Sequence, residues 1–92
     1  MLSEEDTREA VQEALDVLPG EIAAELDGVA VIVQDRHPAG IMGIYDPTGG
    51  MKRIVIFRAA NPTREEVRRT VLHEIGHHFG MDEDYIRELG YG

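Results

Sequence analysis

The sequence predicts an α+β fold in which helices pack on one small sheet, mixed or antiparallel. Three observations carry this: an amphipathic helical period opens the chain, short β-branched and apolar runs separated by turn signals fill its middle, and a second, capped helical period stands near its C-terminal end.

Residues 3–18 read as an N-terminal helix, because Ala10, Val11, Ala14, Leu15 and Leu18 recur at helical spacing. Ser3 is a good cap, and Glu4, Glu5 and Asp6 put negative charge where the helix dipole favours it. Pro19 and Gly20 end the period. A short helical turn through Ile22 and Leu26 follows, closed by Asp27-Gly28, and VAVIV at 29–33 then has the length and β-branching of a buried strand.

Residues 34–40 (QDRHPAG) are polar and turn-rich, a loop leading into a second strand over Ile41–Tyr45. DPTGG at 46–50 reverses the chain into a third strand, Met51–Ala59, with Lys52 and Arg58 on one face and Val55 and Phe57 on the other. These two strands form a hairpin. Asn61-Pro62 breaks it, and Thr63 with Glu66 makes a capping box that opens a helix to about Phe79, where Gly80 supplies a left-handed stop. A short acidic helix over 82–89 completes the pattern.

A chain of 92 residues encloses one modest core, so residues 1–92 are read as a single domain. The absence of cysteine leaves neither disulfides nor thiolate ligands, which fits a reducing, cytoplasmic setting. MLSEEDTREA has no signal-peptide character, and no apolar run approaches a bilayer span, so no membrane association is expected. The net charge is −9; residues 1–27 hold nine acids against Arg8 alone. That balance disfavours nucleic acid, whose phosphates need clustered Lys and Arg, and the acidic run reads as a solvated helix face.

The chemistry is concentrated in HEIGHHFGMDED at 73–84. His73 and His77 lie one turn apart on one side of a helix, so both rings can reach one metal ion. Glu74 projects about 100° round the helix from His73, near such an ion without pointing straight at it. A carboxylate there can take a proton from a water whose pKa zinc has lowered. Zinc (Zn2+) needs a third protein ligand, and after a turn at Gly80 an acid from Asp82, Glu83 or Asp84 can supply it.

The bland alternative is an accidental pair of solvated histidines. With 4 His and 11 Glu in the chain, a shuffled sequence would show HExxH roughly 2 times in 100, and with the following glycine roughly 2 in 1,000. Helical phase adds a second argument: Val67, Val71, Leu72, Ile75 and Phe79 form an apolar arc centred roughly 170° from the histidine pair. His73 and His77 therefore face away from the packing surface. His78 lies on the arc and reads as structural.

HExxHxxGxx followed by an acid resembles the zincin metallopeptidases, specifically the small bacterial zincin-like metallopeptidase family with its HExxHxxGxxD signature. The resemblance extends over most of the chain, through LDVLPGEI, the VAVIV strand, the loop-rich hairpin and VLHEIGHHFG in that order. It implies a minimal zincin fold with an N-terminal helix, an active-site helix and a short C-terminal helix, with His73 and His77 as zinc ligands and Glu74 as general base. The third ligand would stand ten residues after His73, where this chain has Glu83 in place of the family's Asp, with Asp84 and Asp82 as alternates. Tyr85 and Tyr91 are candidates to brace the site or donate to an oxyanion.

The implied activity is zinc-dependent peptide hydrolysis, with a peptide or protein substrate added to a sheet edge at the 51–58 or 41–45 strand. So short a chain has no second lobe to wall the cleft, which suggests a homodimer. The competing reading is a non-catalytic, zinc-stabilised interaction module of the same fold. A metal-dependent nuclease is disfavoured by the charge and by the lack of a three-histidine signature.

Overall fold

The computed structural model describes residues 1–80 and Asp84. Helix α1 spans Glu4–Asp16 and opens as expected, with the Ser3 hydroxyl accepting the Asp6 N–H at 3.0 Å. It ends at Asp16, short of Leu18, because Leu18 precedes Pro19 and is steered away from helical backbone. Helix α2 (Gly20–Glu25) is a short turn that delivers the chain to strand β1, Val29–Gln34.

Strands β2 (Gly43–Asp46) and β3 (Lys52–Phe57) form the expected antiparallel hairpin, with Gly43 opposite Ile56 and Tyr45 opposite Ile54. β1 joins the other side of β3 in parallel, Val31 opposite Ile54, so the sheet is mixed in the order β1-β3-β2. β3 is central. Both of its edges are occupied, so a substrate strand cannot add along 51–58, and among the described residues β2 is the one of the two suggested segments that lies at an edge.

Register and alternation put Val29, Val31, Val33, Ile54, Ile56, Gly43 and Tyr45 on one sheet face. Helices α1 and α3 (Arg64–His78) cover it, closing a core of Ala10, Val11, Ala14, Ile54, Ile56, Val67, Val71 and Ile75. Each fully buried valine or isoleucine of this set stabilises the fold by about 1.5–3 kcal/mol. Val55 and Phe57 on the opposite face are also buried, and the loop after β1 brings the His37 ring edge-on to Phe57, centroids 5.3 Å apart.

Two further differences from the sequence reading have plain causes. β3 stops at Phe57, because Arg58–Ala60 turn into a 3-10 helix in which Arg58 donates to Leu2 O and pairs with Asp35 at 2.9 Å. The acids of α1 are not simply a solvated face: Asp6, Glu9 and Glu13 all pair with Arg64, and Glu13 also with Arg68, at 2.8–3.1 Å. These pairs tie α1 to α3 across the surface. Among the described residues no helix is long and apolar enough to cross a membrane.

Candidate active site and metal centre

Helix α3 begins where the Thr63 hydroxyl accepts the Glu66 N–H at 3.2 Å, and it ends before Gly80, whose φ of +76° is the expected left-handed stop. Val67, Val71 and Ile75 sink into the core and thereby fix the rotation of the helix. That rotation leaves His73 and His77 half-exposed. Phe79, assigned from the sequence to the apolar arc, is instead the C-cap residue, 39% exposed, with its ring edge-on to His78.

The His73 and His77 rings stand 4.8 Å apart between centroids, and their Nε2 atoms approach to 3.2 Å. Two nitrogens on one tetrahedral zinc, each bonded at 2.0–2.1 Å, would sit about 3.3–3.4 Å apart. The pair thus has nearly the spacing of adjacent corners of such a site. Glu74 lies on the neighbouring face of the helix and is buried, 8% exposed.

Glu74 reaches this position because strand β2 passes close to α3 at a residue without a side chain. A Cβ on Gly43 would stand 3.3 Å from Glu74 Cγ and 2.8 Å from Thr70 Cγ2. Gly43 therefore lets the strand backbone lie against the helix one turn at a time, at Thr70 and at Glu74.

The open edge of β2 can be read from the ladder. Phe57 N–H donates to Met42 O at 3.0 Å, so the 42:57 pair is hydrogen-bonded and, by alternation, the Gly43:Ile56 and Tyr45:Ile54 pairs are not. The N–H and C=O groups of Gly43 and Tyr45 consequently point away from β3, toward an edge that no strand covers among the described residues. They are the groups an added strand would meet.

A buried polar cluster lies beneath this edge. The Asn61 amide nitrogen donates to Met42 O at 3.0 Å and to Phe57 O at 2.7 Å, while its carbonyl accepts the Thr70 hydroxyl. Further along β2, the Tyr45 hydroxyl and His78 Nδ1 share a hydrogen bond of 2.9 Å, which gives His78 a structural partner.

Of the acids proposed to complete a metal shell, Asp84 is helical and exposed, while Asp82 and Glu83 lie outside the described residues, as do Tyr85 and Tyr91. Among the described residues no three His, Cys, Asp or Glu side chains converge as a metal-binding group. Sequence reasoning missed Gly43, Asn61, Thr70 and Tyr45. A glycine inside the apolar run IMGIY was a readable sign of close backbone approach, whereas Asn61 looked like a turn residue only.

A family model described as zincin-like metallopeptidase matches residues 45–92, a span that runs from Tyr45 through the whole of α3. No curated protein matches the chain.

Proposed function

Because the chain belongs to the zincin-like metallopeptidase family, we propose that it is a zinc-dependent peptidase of the cytoplasm. His73 and His77 hold the metal, with Glu83 as third ligand and Asp84 or Asp82 as alternates. The observation that carries this reading is the 3.2 Å approach of the two Nε2 atoms beside buried Glu74. When bound, zinc supplies a Lewis acid that polarises the scissile carbonyl and acidifies the attacking water.

The chain's own residues do the rest. The substrate enters extended along β2, its backbone pairing with the outward N–H and C=O groups of Gly43 and Tyr45. This places its carbonyl carbon over Glu74. The Glu74 carboxylate takes a proton from the attacking water and passes it to the leaving amine nitrogen, so that the C–N bond breaks with the amine neutral. Burial of Glu74 excludes bulk water from this transfer. Tyr85 or Tyr91 donates to the oxyanion, and a second copy of the chain walls the otherwise shallow cleft.

Metal analysis and a broad peptide-library digest on zinc-dialysed protein test the proposal, with His73→Ala and Glu74→Gln as variants. One zinc per chain in the wild type, lost in His73→Ala, with hydrolysis lost in Glu74→Gln while zinc is retained, is the expected result. Site-specific zinc without hydrolysis of any library peptide would instead favour a zinc-stabilised interaction module.

A further inference from the structure

The histidine pair and Glu74 leave one question of geometry open: what keeps the substrate edge in register with the acid. We propose that Asn61 and Thr70 are positioning residues that hold the open edge of β2 at a set distance from Glu74. The inference rests on the metallopeptidase reading above.

Asn61 is fully buried. Its two partners on the amide nitrogen, Met42 O and Phe57 O, are carbonyls that can only accept, so the NH2 group must face them and the amide oxygen must face Thr70. The Thr70 hydroxyl then donates to that oxygen. One side chain thus joins the first residue before β2, the last residue of β3 and a helix position one turn ahead of Glu74.

Thr70 uses both branches of its side chain. Its hydroxyl engages Asn61, and its methyl lies where a Gly43 Cβ would come within 2.8 Å. Thr70 and Glu74 are i,i+4 neighbours on one helix face, so fixing β2 against Thr70 also fixes it against Glu74. None of these bonds involves His73 or His77. Loosening the cluster should therefore shift the peptide-binding edge while leaving metal binding intact.

Two inhibitors of zinc sites separate those effects on the zinc-loaded chain. Acetohydroxamate reports the metal alone; a peptidyl hydroxamate reports the metal and the edge together. The wild type should prefer the peptidyl form, and Asn61→Ala and Thr70→Val should each lose about tenfold or more of that preference, since small misplacements of a binding edge are costly. Acetohydroxamate affinity and zinc content should stay unchanged, and Thr70→Ser, which keeps the hydroxyl, should retain the preference. If Asn61→Ala does not fold, the isosteric Thr70→Val carries the same comparison.

A lowered melting temperature with an unchanged ratio of the two affinities would reduce the cluster to a packing feature and overturn the inference. So would a zinc-loaded wild type with no preference for the peptidyl form. A wild type that binds neither hydroxamate would overturn the metallopeptidase reading itself, and this inference with it; that failure appears before any variant is made.

Discussion

Gly43 on the edge strand faces Glu74 on α3 so closely that a Cβ on the glycine would stand 3.3 Å from the Glu74 Cγ. The same Cβ would meet Thr70 Cγ2 at 2.8 Å, closer than side-chain carbons normally come. Gly43→Ala should therefore destabilise the fold. Overpacking of about 1–3 kcal/mol outweighs the about 0.4–1 kcal/mol gained by stiffening the unfolded chain. Urea denaturation measures the net loss, and adding Thr70→Ser should recover part of it; strict additivity of the two changes would show that this contact is not the cause.

Zinc should behave as a stabilising ligand. At a free concentration of about one hundred times its Kd, an ion bound only by the folded chain adds about 2.7 kcal/mol. For a domain of this size that is a rise in Tm of roughly 10–20 °C. Calorimetry with and without chelator should show the rise in the wild type and none in His73→Ala; an equal rise in both would place the ion elsewhere.

The Tyr45 hydroxyl spans from β2 to His78 at the end of α3, in a half-buried position. Tyr45→Phe keeps the ring and removes this bond, at an expected cost of about 0.5–1.5 kcal/mol in denaturant unfolding. Zinc stoichiometry should not change, because the bond involves neither His73 nor His77.

At the far end of the hairpin, Asp46 accepts hydrogen bonds from the Thr48 hydroxyl and backbone N–H and from Arg53. Led by the Thr48 side chain, these hold its carboxyl below the ordinary 3.8. A lowered folded-state value means the stabilisation is complete above that ordinary value and is lost as pH falls through the lowered one. Carboxyl NMR titration should place the midpoint below 3.8, and Thr48→Ala should move it back up. As the group lies at the surface, the stability change should be small.

The helix that carries the candidate site was legible because its information is local. His73, Glu74 and His77, the Thr63 cap and the Gly80 stop all lie within a few turns of one another, and the apolar phase of Val67, Val71 and Ile75 sets which way they point. The hairpin was legible for the same reason. What escaped was long-range. Nothing local to β3 says that β1 will pair with it in parallel and leave β2 as an edge. The Gly43 approach to Glu74 likewise joins residues from separate elements, and Asn61 looked like a turn residue until its buried partners were known.

The hairpin, the Asn61 amide cluster and the histidine pair occupy one uninterrupted stretch of chain, from Met42 to His78, while α1 and β1 come before it. That stretch closes through short loops, whereas β1 must find β3 across the intervening strand, a slower, higher-entropy step. Assembly should therefore run from the site outward, with the N-terminal segments docking last. Genetic damage would then divide into two kinds: lesions in α1, β1 or the shared core thin the population of folded molecules, whereas lesions at His73, Glu74 or His77 would impair every molecule that folds.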